Sequence, residues 1–486
     1  MKVVTPQEMV KCEQKAYQEG TSEEKLMLSA GQGIAKTLLY LYDQPQKVLL
    51  LCGKGNNGGD GCVAGISLLQ QGWTVFVWKL DKLEETSPLC KKFHHQLLAN
   101  GGLAVDEIPS DTDLIVDAFF GTGFHGKVKA PYDELIVQAN RSKLPIFSVD
   151  IPSGLDGESG KVDGEAINAT ATLFLAFPKQ GFFLGQGWNH VGQLIPIDIG
   201  LNDSSLQNHL EIENEEKITL PLLIRDRHKY QAGYVVGWGG SPGMPGAPLM
   251  ASLAALRSGA GIVKLIHPAG MEAELALAPN EIIRIAQGDL ENDLALFNKA
   301  TAVFFGPGLE REVQTGERLR TLLPRLTTRC VIDAGALALL AEKMCPLPKE
   351  VILTPHRAEM ARLLGIPTPE AIDITFLDKV RSFCSQHQCH LLLKGAPSFL
   401  FFPEGKTIIC QRGDPGMATA GAGDVLTGIL AGVTAQKMPF AEALRTAIYL
   451  HGTAGEIAAQ NFSAFSMIAT DIIDALPEAF LNLIDE

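Results

Sequence analysis

A chain of 486 residues is too long for one ordinary core, and 46% hydrophobic with 20% charged residues is globular composition without signs of disorder. A formal charge of −14 with no Lys/Arg run argues against a nucleic-acid partner, because phosphate recognition needs a concentrated positive field. No apolar run approaches the ~20 residues that span a bilayer, so no membrane partner is expected. Nine scattered cysteines without CxxC pairs suit a reducing, cytoplasmic setting.

At the N-terminus, Thr5-Pro6-Gln7-Glu8 combines a cap residue, a proline at the first helical position and a capping-box glutamate, and two helices are expected up to about Tyr42. Short apolar strands then alternate with helical stretches: Lys47–Cys52, Thr74–Trp78, 113–117, 145–150 and 171–177. That rhythm predicts a parallel sheet with helices on both faces. The stretch 201–216, with Glu211, Glu213, Glu215 and Glu216, is expected to be a linker, a short edge strand being the alternative. A second β/α series follows at 234–237, 261–266, Ala302–Phe305, 330–333, Val351–Leu353 and 390–394. Without a strong repeat between the halves, the expectation is α/β: two tandem three-layer αβα domains, residues 1–210 and 217–486.

The strand Lys47–Cys52 runs into Gly53-Lys54-Gly55-Asn56-Asn57-Gly58-Gly59-Asp60-Gly61 and then a helical pattern at Cys62, Val63, Ile66 and Leu69. A Gly-rich turn between strand and helix leaves N–H groups free to face an anion. The amides and carboxylate among these glycines suit a hard cation or ribose hydroxyls. Asp117 closes a second strand, before Gly121-Thr122-Gly123-Phe124-His125-Gly126. Asp150 closes a third, before Ile151-Pro152-Ser153-Gly154. Any one could be a loop cap. Three strand ends together point to the ligand site of a parallel sheet.

NNGGDG, VDAFFGTG and VDIPSG, in this order and spacing, resemble the NAD(P)H-hydrate epimerase family over roughly residues 1–210. The resemblance implies a Rossmann-like domain in which Asn56, Asn57, Gly58, Gly59 and Asp60 contact substrate. It assigns a potassium ion to Asn57, Asp117 and Ser153, and a phosphate to Gly121, Thr122, Gly123, Phe124, His125, Gly126 and Lys127. Asp150 is expected near the reacting ring, either as the base for the C6 hydroxyl or as a binding group only. Lys179, in Phe177-Pro178-Lys179, is a second candidate for the chemistry, a solvated surface lysine being its alternative.

Near the C-terminus, Gly421-Ala422-Gly423-Asp424 is followed by an apolar stripe at Val425, Leu426, Ile429, Leu430 and Val433. A turn that opens a helix offers free N–H groups and a carboxylate at one point, as phosphoryl transfer requires; a simple cap is the other reading of Asp424. This pattern is similar to the ribokinase-like superfamily. Thr354-Pro355-His356-Arg357-Ala358-Glu359 adds to the likeness, such folds placing an acid near a magnesium–phosphate site. Together with Gly239-Gly240-Ser241, Gly246-Ala247 and Gly306-Pro307-Gly308, it resembles the NAD(P)H-hydrate dehydratase branch over roughly residues 220–486.

That resemblance implies that Ala247, Gly308, His356 and Asp424 face the hydrate, with Asp424 as base. Lys394, Gly395, Ala396, Pro397, Ser398 and Gly423 would hold the nucleotide. The pattern departs from the family at Gly335, Glu310 and Ala420. The implied substrates are the NADH and NADPH hydrates (NADHX and NADPHX), with ADP or ATP, ADP by the fused arrangement, and magnesium; a homo-oligomer is expected. The alternatives are a vitamin-precursor kinase fused to a nucleotide-binding domain and a non-catalytic binding protein.

Overall fold

The computed structural model describes residues 1–78, 85–202, 206, 209–276 and 278–485. The chain divides into two compact units, Met1–Leu210 with Ala371–Ile374, and Glu211–Glu370 with Thr375–Glu486.

The first unit contains α1 (Pro6–Gln18), α2 (Glu23–Leu41), β1 (Lys47–Cys52), α3 (Asn56–Gln70), β2 (Thr74–Trp78), α4 (Pro88–Ala99), β3 (Leu103–Val105), β4 (Leu114–Ala118), α5 (Tyr132–Ser142), β5 (Ile146–Val149), β6 (Ala171–Leu175) and β7 (Gln193–Ile197). The expected capping box at α1 is present: Glu8 N donates to Thr5 Oγ1 (3.0 Å) and Thr5 N to Glu8 Oε2 (2.8 Å). The seven strands run β3-β2-β1-β4-β5-β6-β7, all parallel, with two more than the sequence pattern suggested. Side chains alternate across the sheet. Val48, Leu50 and Val116 pack on one face with α2 and α3, while Leu49, Leu51 and Ile115 face α5. Strand order reverses between β1 and β4, which opens a crevice at their C-terminal ends.

The second unit contains β8 (Leu210–Ile212), β9 (Tyr234–Trp238), α6 (Gly246–Arg257), β10 (Ile262–His267), β11 (Ile282–Ala286), α7 (Leu290–Lys299), β12 (Ala302–Phe305), α8 (Val313–Leu322), β13 (Arg329–Ile332), α9 (Ala334–Glu342), β14 (Val351–Leu353), α10 (Arg357–Leu363), α11 (Ile374–His387), β15 (His390–Leu393), β16 (Ser398–Phe401), β17 (Thr407–Cys410), α12 (Ala422–Thr434), α13 (Phe440–Phe462) and α14 (Ala469–Asp485). Its ten-stranded sheet runs β11-β10-β9-β12-β13-β14-β15-β16-β17-β8. The strands from β11 to β15 are parallel, and β16 and β17 turn back antiparallel. Order reverses again, between β9 and β12. Helix α12 is buried on more than its apolar stripe, since Thr427, Gly428, Ala431 and Gly432 are buried as well. A methyl on Gly428 would stand 2.0 Å from the Ala251 carbonyl oxygen, so only glycine lets α12 lie this close to α6.

From residue 210 on, the linker expected at 201–216 gives way to its alternative, a short edge strand; residues 203–205 and 207–208 lie outside the described residues. Leu210–Ile212 is the edge strand of the second sheet, and Glu213 N donates to the Ile409 carbonyl (3.0 Å). The glutamates alternate along this segment, and each alternate one meets a cation: Glu211 with Lys406 (2.8 Å), Glu213 with Arg445 (2.5 Å) and Glu215 with Arg412 (2.6 Å). Charge at a two-residue period is a strand pattern, and composition alone concealed it.

Candidate active sites

Asn56 to Gly61 are helical, the first two turns of α3, where a turn was expected. The glycines make this possible by close approach. A methyl on Gly53 would stand 1.9 Å from the Phe119 carbonyl oxygen, and one on Gly59 2.6 Å from the Met27 sulfur. Helix α3 therefore starts hard against the ends of β1 and β4, with its N-terminus in the crevice.

The structure brings Asn57, Asp117 and Ser153 together through the backbone of Phe120. Asn57 Nδ2 donates to the Phe120 carbonyl (2.9 Å) and to that of Val149 (3.2 Å). Phe120 N donates to Ser153 Oγ (3.1 Å), which donates to Asp117 Oδ1 (2.6 Å). Asp117 Oδ2 accepts from Ser148 Oγ (2.8 Å) and Ser153 N (2.9 Å). Burial raises the Asp117 carboxyl, and these bonds oppose the shift. The result is an oxygen-rich corner with one carboxylate, of the chemistry a hard monovalent cation takes. The 121–127 turn leaves this corner. Phe124 N bonds the Gly121 carbonyl (3.1 Å), Phe124 stacks on Phe120 (4.9 Å), and His125 Nδ1 meets Asp156 Oδ2 (2.8 Å). Asn56 is exposed, donating to Glu23 (2.6 Å) and accepting from Ser87 (3.1 Å).

Lys179 is fully buried, which overturns the surface-lysine alternative. Its Nζ donates to Asp150 Oδ1 and to the Leu175 carbonyl (3.2 Å). Asp150 has a left-handed backbone (φ 64°) and accepts from Leu175 N (3.3 Å); a strained non-glycine residue at a strand end is a feature of functional sites. Two further acids face this pair. Burial raises Asp60 well above the usual carboxylate range, helped by Asp150, Glu13 and Cys90. Burial also raises Glu13, with Asp150 adding and Lys179 opposing. Sequence reasoning missed Glu13. It lies on α1, which the bridge between Val4 and Lys179 docks beside the site, and nothing local marks that pairing.

In the second unit, Asp424 sits in the first turn of α12, whose cap is Gly421 with φ 96°; the carboxyl is not the cap. Burial and the neighbouring Asp333 push it up to about 6, against the pull of Lys394. Asp333, at the end of β13 and 1% exposed, accepts from Lys394 Nζ on Oδ1 (2.8 Å) and from Thr427 Oγ1 on Oδ2 (2.8 Å). A methyl on Gly423 would stand 3.4 Å from Lys394 Nζ, so the ammonium rests against the same helical turn. Burial opposes the charge on Lys394, yet Asp333, Glu359 and Asp424 outweigh it and raise the group. Beneath the turn, His451 Nε2 donates to the Ala422 carbonyl (3.1 Å), and burial pushes this imidazole down to about 4, so it is neutral.

The other predicted residues of this unit make local contacts at the ends of their own elements. His356 caps α10, its Nδ1 accepting from Ala358 N (3.1 Å) and Glu359 N (3.3 Å) while Glu359 Oε2 accepts from His356 N (2.9 Å). Gly308, at φ 70°, follows β12 and gives its carbonyl to Ser241 Oγ (2.9 Å). Ala247 is the second residue of α6. The turn from Gly395 to Pro397 joins β15 to β16, with Ser398 Oγ donating to the Gly395 carbonyl (2.9 Å). Lys394, expected to hold the nucleotide with that turn, sends its side chain away from it to Asp333. Asp333 is legible only as the start of the motif that ends in Gly335, while Thr427 and His451 carry no local signal, because their roles depend on contacts remote in sequence.

Two solved structures match the second unit. A ribokinase-like superfamily protein of Enterococcus faecalis is 25% identical with TM-score 0.51, covering 58% of this chain and 99% of its own. A Bacillus subtilis protein solved with ATP and Mg2+, named as an ADP/ATP-dependent NAD(P)H-hydrate dehydratase, is 28% identical with TM-score 0.50, covering 56% and 98%. The class is therefore a ribokinase-like α/β enzyme fused to a second, parallel α/β unit. Residues 235–478 match the family model described as NAD(P)H-hydrate dehydratase, and 23–181 that described as YjeF-related protein N-terminus. Relatives named bifunctional NAD(P)H-hydrate repair enzyme Nnr align along nearly the whole chain. That of Moorella thermoacetica is 36% identical, covering 91% of this chain and 88% of its own; that of Coxiella burnetii is 34% identical, covering 96% of both. The chain belongs to the family of bifunctional NAD(P)H-hydrate repair enzymes, an epimerase and a dehydratase in one polypeptide.

Proposed function

We propose that the second unit dehydrates the S-hydrate of NADH and NADPH at the expense of ADP, with Asp424 as general base. The observation that carries this is a half-buried carboxyl in the first turn of a helix, beside the Lys394 ammonium and held up to about 6. Hydroxide is a poor leaving group, so the C6 hydroxyl must first be activated. Asp424 takes its proton as the oxygen attacks the terminal phosphorus of ADP and the bond to AMP breaks. Phosphate then leaves C6, pushed by the ring nitrogen, and loss of the C5 proton restores the dihydronicotinamide. Backbone N–H groups at the start of α12 and the Lys394 ammonium face the oxygens of the transferring group. His356, Gly308 and Ala247 border the hydrate, and the Gly395, Ala396, Pro397 and Ser398 turn with Gly423 borders the nucleotide. Magnesium would arrive on the ADP phosphates near Glu359 and neutralise their charge.

In the first unit, Asp150 takes the C6 hydroxyl proton while Lys179 gives one to the ring nitrogen. The C6–N1 bond opens to an aldehyde, and reclosure on the other face with reversed proton transfers inverts the centre. Asn57, Asp117 and Ser153 would hold potassium, which supplies a fixed positive charge for the substrate phosphate cradled by residues 121–127. The substrate bears on Asn56, Asn57, Gly58, Gly59 and Asp60. Nine free cysteines suit a cytoplasmic protein, and a homo-oligomer is the expected assembly. Among the described residues no helix is long and apolar enough to cross a membrane.

The test follows reduced-nicotinamide absorbance on purified R- and S-hydrates with ADP and magnesium. Absorbance should return from the S-hydrate at once and from the R-hydrate after epimerisation. Phosphorylation of a thiazole or pyrimidine alcohol without any return from hydrates would replace this reading by the kinase one.

A further inference from the structure

Two groups meet on one buried carboxylate. Asp333 lies at the C-terminal end of β13, its two oxygens taken separately by Lys394 Nζ and Thr427 Oγ1, each at 2.8 Å. Thr427 is fully buried one helical turn beyond Asp424, so its hydroxyl ties the first turns of α12 to the sheet. Lys394 follows β15, and among the described residues Asp333 is the hydrogen-bond partner that fixes its ammonium against Gly423. A carboxylate with 1% exposure is costly unless both oxygens are engaged. Here the engagement does more than satisfy it, because it fixes a cation relative to the helix that carries the base.

We propose that Asp333, anchored by Thr427, is a positioning residue for Lys394, holding the ammonium where the oxygens of the transferring phosphoryl group gather. This rests on the phosphoryl-transfer reading of the site. Positioning of a cation is a rate term, since its oxygens bear most charge as the bond to AMP breaks. The charged and titratable groups that face this point are Asp424 on α12, Asp333 after β13, Lys394 after β15, Glu359 on α10 and the neutral His451 on α13. Burial is the main reason the Asp424 carboxyl is raised, and Asp333 adds to it by repelling that carboxylate and drawing off the ammonium that would pair with it.

The test is Asp333→Asn in the full chain, with kcat and KM for S-hydrate and ADP measured across pH. The expected kcat loss is about 10- to 100-fold with KM for ADP little changed, and the acid limb of kcat should move to lower pH, since Asp424 loses a repelling neighbour and gains the whole of Lys394. Thr427→Val removes the second anchor without charge and should lower kcat several-fold, Thr427→Ser restoring it. An unmoved acid limb in Asp333→Asn, or a Thr427→Val enzyme at full rate, overturns the proposal. If Asp333→Asn does not fold, the Thr427 pair decides alone. A wild-type protein that fails to dehydrate the S-hydrate with ADP would instead remove the underlying reading of the site.

Discussion

Gly58 and Gly53 face one another so closely that a methyl on Gly58 would stand 2.1 Å from the Gly53 carbonyl oxygen. The obstacle is backbone on both sides, so no rotamer relieves it. Gly58→Ala should destabilise the first unit by about 1–3 kcal/mol or more and remove epimerisation, while S-hydrate dehydration persists. Calorimetry with separate assays of the two hydrates reads both. Wild-type epimerase from Gly58→Ala would show that α3 can be lifted off the strand ends at little cost.

Lys179→Met leaves Asp150 without its buried cation beside two further acids, Asp60 and Glu13. Breaking such a pair typically costs ~3–5 kcal/mol, and epimerisation should vanish. Adding Asp150→Asn removes the stranded charge, so the double variant should recover most of the melting temperature and none of the activity. Recovery of activity would reduce the pair to a structural one.

Asp424 is the case where function and stability oppose each other. Its folded pKa is raised to about 6, so its stabilising contribution is complete below the unfolded value of 3.8 and is lost as pH rises through 6. Above that, the charged form burdens the fold. Asp424→Asn should therefore be more stable than wild type at about pH 8, by on the order of 1–3 kcal/mol, with the gain fading toward about pH 4. Dehydration should fall ~10²–10⁴-fold, epimerisation should remain, and the wild-type rate should decline as pH drops through about 6. Denaturant melts at the two pH values, beside a pH–rate profile, check all of this. A variant less stable at the alkaline pH would mean Lys394 gains more from Asp424 than burial costs.

Replacing potassium by a bulky organic cation should slow epimerisation and leave S-hydrate dehydration unchanged. The corner formed by Asn57, Asp117 and Ser153 is confined to the first unit. Equal loss of both rates would mark a general salt effect.

Truncation tests the glutamate segment. A fragment beginning at Lys217 loses Glu213 and leaves Arg445 half-buried without its partner, whereas one beginning at Glu211 keeps all three ion pairs. The shorter fragment should melt several degrees lower or fail to fold. Equal melting curves would make the segment the passive tether that its composition suggested.

Much of this architecture was legible because backbone rules act locally. Alternating apolar strands and helices, the Thr5 capping box and the carboxylates Asp117 and Asp150 at strand ends all follow from residues a few positions apart. The GAGD turn opening α12 is equally local. What escaped was set by tertiary contact. NNGGDG looked like a turn because glycine is a poor helix former, yet here each missing Cβ is what permits the helix. Glu13 carries no motif, and the segment from Asp333 to Ala336 shows nothing of what Asp333 holds; both matter through Lys394 and Asp150, remote in sequence.

Strand β8 has a further consequence beyond marking where the second unit begins. It covers the outer side of β17, whose four residues are all buried and apolar or hydroxyl-bearing. An uncovered strand of that kind is a template for pairing with another chain. The three-residue cover is itself too short to recruit one, and its central residue, Glu211, is charged. A protease cut just after Ile212 would thus do more than loosen the chain: with the cover released, Thr407–Cys410 would offer an open ladder of donors and acceptors, and the damaged protein would polymerise rather than merely unfold.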